Sequence, residues 1–155
     1  DLYATLADIL GQHQAIPAHA AEDSFTILPA LEGVAHRKPL RPFTIHHSIN
    51  GSFAIRRGPW KLILCPGSGG WSAPRPAQAL KNKELPPVQL FNLADDPGEQ
   101  TNLSAKEPQL VQELVAQLAA AIRNGRTNPG PKQSNEGWPA TFHNRVLSAF
   151  PELRN

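Results

Sequence analysis

Apolar and polar residues alternate on both sides of Gly58-Pro59 in the run SFAIRRGPWKLILC, from Ser52 to Cys65. A two-residue turn there sets Arg57 opposite Trp60, Ile55 opposite Leu62 and Phe53 opposite Leu64. Those pairs share one face, apolar apart from Arg57, while Arg56 and Lys61 meet on the other. Agreement between turn and register specifies a hairpin with one buried face. Gly58 suits the positive φ of a type II′ turn, although a proline after it is unusual.

The preceding stretch, 43–49, also alternates, with Phe43, Ile45, His47 and Ile49 on one side and His46 on the other. Asn50-Gly51 is a hairpin signal. A two-residue loop there pairs His47 with Ala54 and Ser48 with Phe53, however, so the apolar faces do not match. Either the loop is longer or the strand belongs to another sheet; the second option is preferred. A further strand is expected at 88–92, and 66–87, rich in glycine and proline, as an irregular surface loop.

Helical spacing is clearest at 106–124, where Leu110, Leu114, Leu118 and Ile122 form a stripe widened by Val111 and Val115. Ser104 and Glu107 suggest a capping box, Pro108 suits the first turn and Gly125 the end. A first helix over 2–10 is capped by Asp1, points Leu2, Leu6, Ile9 and Leu10 inward and stops at Gly11. A short apolar turn or half-helix is expected at 25–31, stopped by Gly33, and a short helix near 145–150. The fold class is α+β, a small antiparallel sheet with the long helix packed on its apolar face.

Composition narrows the function classes. The chain has 155 residues, 40% hydrophobic, enough for one modest core, one domain or parts of two. A net charge of +2 does not point to nucleic acid or an acidic membrane surface. One cysteine excludes an internal disulfide, and no apolar run approaches the roughly 20 residues of a membrane span. The first residues do not read as a signal peptide.

Several motifs in order resemble the carboxy-terminal portion of the sulfatases. They are Asp1-Leu2-Tyr3-Ala4-Thr5-Leu6, Asp23-Ser24-Phe25, and Leu28 to Gly33. Ile55-Arg56-Arg57-Gly58-Pro59-Trp60-Lys61-Leu62 follows, then Leu90-Phe91-Asn92-Leu93 through Asp96-Pro97 and Glu99 to Asn102-Leu103, then Gly125-Arg126-Thr127. Ala4 stands where the family usually has proline. The resemblance implies that 1–49 is the tail end of a sulfatase-type α/β catalytic domain, contributing its last helix and strand. Residues 50–130 are then the carboxy-terminal subdomain and 131–155 an extended tail. It also explains the mismatched strand at 43–49, whose neighbours then lie outside this chain and whose exposed edges predict poor solubility in isolation.

The resemblance further implies a sulfuric ester hydrolase using calcium and a formylglycine made from cysteine in Cys-x-(Pro/Ala)-x-Arg. Cys65-Pro66-Gly67-Ser68-Gly69 lacks that pattern, so Cys65 is read as a buried, inert thiol. Asp95 and Asp96 do not reproduce the calcium ligands. Catalytic and metal residues are therefore expected in an amino-terminal portion, the chain's main partner, and this fragment alone is expected to be inactive. The implied substrate is a sulfated small molecule or glycan, and the implied location is periplasmic or secreted, with no membrane or nucleic-acid partner.

His46 and His47 are the candidate substrate-binding residues, with His46 ahead because it lies on the polar face. The competing reading makes one buried and hydrogen-bonded and the other merely solvated. For the like charges Arg56 and Lys61, an ion pair with the acidic turn at 95–99 is favoured over a sulfated glycan. Trp71 either stacks on a sugar or packs on its own loop. The alternative functions are a stand-alone carbohydrate- or anion-binding module and a structural interaction domain.

Overall fold

The computed structural model describes residues 1–35, 38–134 and 142–154. Five α-helices and four strands follow in the order α1 (Leu2–Ile9), α2 (Leu28–Leu31), β1 (Thr44–His47), β2 (Phe53–Arg57), β3 (Trp60–Ile63), α3 (Pro76–Lys81), β4 (Gln89–Asn92), α4 (Pro108–Asn124) and α5 (Asn144–Ala149). The chain forms two compact units, one from residues 1–42 with 120–137 and one from 43–119 with 138–155.

In the second unit the strands form one antiparallel sheet in the order β1-β2-β3-β4. The β2–β3 register is the one the turn predicts: Arg57 faces Trp60, Arg56 faces Lys61 and Ile55 faces Leu62. Gly58 has φ +57°, which together with the negative φ that Pro59 imposes is the combination of a II′ turn. β3 in turn pairs Leu62 with Leu90 of β4.

The strand at 43–49 is not part of another sheet. β1 is an edge strand on β2, pairing Ile45 with Ile55, His46 with Ala54 and His47 with Phe53. The other option holds, a longer loop: Ser48 N–H donates to Ser52 O at 2.9 Å and Gly51, at φ +82°, closes a three-residue turn. One extra residue shifts the register by one and brings the apolar positions onto one face, because side chains alternate with a period of two.

That face holds Ile55, Leu62 and Leu90, all at 0% exposure. Val111, Leu114, Val115 and Leu118 of α4 are buried with them, and Arg57, the one charge on this face, reaches Glu113 of α4 at 2.8 Å. α4 ends in a Schellman motif, with Gly125 at φ +62° and N–H bonds from Gly125 to Ile122 O and from Arg126 to Ala121 O. A Cβ at Gly125 would lie 2.4 Å from Gln133 O. The expected capping box is absent, since helix begins only at Pro108 and the Ser104 hydroxyl donates to Val88 O.

The loop 66–87 is less irregular than expected, since it carries α3 with Ala79 buried. The tail is not extended throughout. α5 and a following 3-10 turn bury Val146, Phe150 and Leu153, while residues 135–141 of that tail lie outside the described residues.

In the first unit α1 turns over its expected face. Ala4 and Thr5 are buried, whereas Leu2, Leu6, Ile9 and Leu10 are 56–72% exposed. Within this unit the small residues close on a polar seam instead: Ala4 N–H donates to Ser24 Oγ and Ile27 N–H to Thr5 Oγ1, each at 3.0 Å. Asp1 sits at the N-cap position without capping, because its carboxylate accepts from Phe25 N–H at 3.0 Å and Arg41 at 2.7 Å. Half-helix α2 ends before Gly33, at φ +71°, as the sequence indicates.

Candidate functional site

The two candidate histidines project from β1 to opposite sides of the sheet, as strand alternation requires. His46 lies on the face that carries Arg56 and Lys61. Partial burial against the sheet lowers its pKa from the ordinary value, and the Lys61 and Arg56 cations push the same way, against Glu99. The imidazole is therefore neutral at pH 7, able to donate from one nitrogen and accept at the other. His47, on the other face, holds Ser48 O 3.1 Å from Nδ1 and meets the Phe53 ring edge-on at 6.0 Å. The strand thus separates the pair, and they form no shared site.

Lys61 Nζ meets Glu99 at 2.5 Å, the ion pair expected between the charged face and the acidic turn. Arg56 does not join it and donates instead to Gly58 O. Within the turn, Asp96 accepts the N–H groups of Gln100 and Thr101, which hold its carboxyl below the usual range. Asp95 accepts from the Asn92 side chain. Both aspartates are committed to turn geometry, and among the described residues no group of three or more His, Cys, Asp or Glu is placed to hold a metal ion. Cys65 is buried, its thiol donating to Gly67 O at 3.0 Å, and burial pushes its pKa up. Neither the aspartates nor Cys65 fit a calcium site or a formylglycine precursor.

A feature not anticipated from the sequence is a cavity of about 340 Å³ between the β1–β2 turn, the loop after β3, α3 and the start of α5. Asn50, Ser52, His143 and Asn144 supply polar groups, and Pro66, Ala79, Leu80 and Phe142 apolar walls. Neither His46 nor His47 lines it. His143 is the N-cap of α5, its Nδ1 accepting from Arg145 N–H. Histidine is an uncommon cap, so the sequence signals a helix nearby but not this ring.

A four-stranded antiparallel sheet with one long helix over its apolar face defines an α+β unit. The sequence matches the family described as the C-terminal region of aryl-sulfatase over residues 39–148. The chain belongs to the sulfatase family, as part of its carboxy-terminal region. An N-acetylgalactosamine-6-O-sulfatase of Bacteroides thetaiotaomicron is 32% identical over 117 residues, covering 74% of this chain and 21% of that protein. Arylsulfatase K of Bos taurus is 26% identical over 168 residues, covering 99% of this chain and 28% of that protein. A solved structure from work on the metabolism of multiple glycosaminoglycans by Bacteroides thetaiotaomicron superposes with TM-score 0.60 at 30% identity, over 78% of this chain and 24% of that one. A 2-O GAG sulfatase shares the fold, with TM-score 0.50 at 21% identity over 90% of this chain and 31% of the other. The chain therefore spans about a quarter of the length of these relatives. No described helix is long and apolar enough to cross a membrane.

Proposed function

We propose that the chain is the carboxy-terminal part of a sulfuric ester hydrolase acting on a sulfated carbohydrate, completing its fold and shaping its substrate pocket. The observation that carries this reading is the family match over 39–148 together with the 32% identical N-acetylgalactosamine-6-O-sulfatase. The main partner is the amino-terminal catalytic portion of the same enzyme. The exposed stripe of Leu2, Leu6, Ile9 and Leu10 on α1 supports this, because so much apolar surface on one short helix calls for a cover. Calcium and the formylglycine belong to that portion, since the residues of this chain do not fit them. Export to the periplasm or outside the cell is the expectation from the relatives.

On this reading His46 is the side chain that reaches the substrate. Its neutral ring donates to a sugar hydroxyl or ester oxygen, while the Arg56 cation on the same face favours the sulfate, Lys61 being paired with Glu99. His47, tied to Ser48 O and Phe53, has a smaller part.

The test uses the full-length protein. Its intact mass should correspond to several hundred residues, with Cys-x-(Pro/Ala)-x-Arg upstream of Asp1, and it should hydrolyse a sulfated N-acetylgalactosamine. His46→Ala should raise KM about tenfold without lowering the melting temperature, a loss typical of one polar contact to a charged group. A natural chain starting near Asp1 sinks the hydrolase reading. Unchanged kinetics in both His46→Ala and His47→Ala removes the histidines from the pocket.

A further inference from the structure

Gly69 lines the cavity beside the β1–β2 turn, and two residues further on the chain carries an exposed aromatic, Trp71. Trp71 is 82% exposed and Ile49 73% exposed. The two loops that carry them are pressed together: Asn50 N–H donates to Gly69 O, and a Cβ on Gly70 would touch Ile49. A Cβ on Gly69, at φ +65°, would lie 2.5 Å from Ser48 Oγ, so only glycine permits this approach. The segment bearing Trp71 is also closed on itself. Ser68 Oγ accepts from Gly70 N–H at 3.1 Å and donates to Ser72 O at 3.0 Å. The indole is thus presented on a tied turn, and it leaves its apolar face in water.

The lining of the cavity has a definite chemistry. Asn50 Oδ1 is taken by the Ser48 hydroxyl and Ser52 N–H, at 2.7 and 3.0 Å, which leaves its Nδ2 as the donor it can offer. His143 accepts at Nδ1, which leaves Nε2 as the ring atom it can offer to a ligand. Asn144 adds an amide, Pro66, Ala79 and Phe142 are apolar, and among the described residues no Lys, Arg, Asp or Glu lines the space. A sulfate or carboxylate entering here would lose its hydration without a counter-charge. Hydroxyl and acetamido groups would find amide and imidazole partners, and Trp71, two residues from Gly69 in the lining, offers an aromatic surface for an apolar ring face. The volume of about 340 Å³ is within the range of small-molecule pockets.

We propose that this cavity and Trp71 form a subsite for an uncharged sugar residue of a glycan, separate from the group that binds sulfate. It deepens the carbohydrate part of the reading above, and implies that the enzyme engages a chain of sugars rather than a lone aryl ester. Trp71 stacks on the apolar face of the ring, while Asn50, His143 and Asn144 bond its hydroxyl or acetamido groups.

The experiment titrates unsulfated chondroitin and agarose tetrasaccharides into the full-length protein by isothermal calorimetry. At least one should bind the wild type, and Trp71→Ala and Asn144→Ala should each weaken it about tenfold, about 1.4 kcal/mol. Trp71→Phe should recover most of the loss, since it restores an aromatic face. Because Trp71 is exposed, Trp71→Ala should melt with the wild type, which separates lost contact from lost fold. Absence of binding to both tetrasaccharides, or undiminished binding by both alanine variants, overturns the subsite. Release of sulfate from a sulfated N-acetylgalactosamine by the wild type reads the hydrolase proposal separately, so its absence refutes that proposal while the binding data still decide the subsite.

Discussion

β4 is the other edge of the sheet, and its outer side is closed by a side chain instead of a fifth strand. Asn102 Oδ1 accepts from Leu90 N–H at 3.0 Å and from Ser104 N–H at 2.9 Å, while its Nδ2 donates to Val88 O at 3.1 Å. Leu103 N–H then donates to Leu90 O at 2.8 Å. Leu90 has 0% exposure, so truncation in Asn102→Ala strands a buried N–H, at a cost of about 1–3 kcal/mol. Val88 O retains the Ser104 hydroxyl at 3.3 Å, and Ser104 N–H lies nearer to water, so these two add about 0.5 kcal/mol more between them. A total of about 1.5–3.5 kcal/mol corresponds to roughly a 10- to 300-fold loss of protection. Hydrogen exchange at the Leu90 amide in the intact protein measures it directly. Asn102→Asp keeps the acceptor for Leu90 but sets a carboxylate against Val88 O, and should fall between the wild type and the alanine variant. Protection in Asn102→Ala within threefold of the wild type would refute the edge-closing role. The same geometry bears on the Asn102-Leu103-Ser104 triplet, which has the form of a glycosylation acceptor. A glycan on Nδ2 would compete with the bond to Val88 O.

Three further outcomes are expected. Leu118→Ala, at a site with 0% exposure on α4, should cost about 2–5 kcal/mol by equilibrium unfolding, and a loss below 1 kcal/mol would show that the helix does not seal the sheet. NMR titration of His46 should show its pKa rising in Lys61→Met and falling further in Glu99→Gln; movement in the opposite sense would mean that neither charge faces the ring. Because the folded pKa is depressed, the contribution of His46 to stability is present above its unfolded value and lost as pH falls through the folded one. Cys65 should resist alkylation by iodoacetamide at pH 8 until the protein is denatured, since burial raises its pKa and the thiol is bonded to Gly67 O; labelling in the native state at the rate of a free thiol would contradict that burial.

Much of this architecture is local in origin and therefore readable from residue order. The II′ turn at Gly58-Pro59 sets the β2–β3 register by itself, and the four-residue recurrence from Leu110 to Ile122 predicts α4 and the face it buries. Gly125 announces the end of that helix because few other residues adopt the left-handed conformation of a Schellman cap. Like charges on Arg56 and Lys61 pointed to a nearby anion, and Glu99 supplies it for Lys61. The motifs from Ile55 to Leu103 carried the family likeness for the same reason, as each records a turn or an edge.

Tertiary structure decided what periodicity leaves open. Asn50-Gly51 is compatible with turns of two or three residues, and the choice falls to the match of Ile45 with Ile55, a contact across the sheet. Periodicity shows that α1 has an apolar stripe but not what lies opposite. Here the polar seam from Ser24 to Ile27 claims Ala4 and Thr5, leaving Leu2, Leu6, Ile9 and Leu10 in the open. Asp1 reads as a cap until Arg41 and Phe25 N–H, distant in sequence, compete for its carboxylate. The cavity gathers Asn50, Pro66, Ala79 and His143 from four separate segments. A spacing rule acts along one element, whereas a site of this kind exists only once several elements have packed.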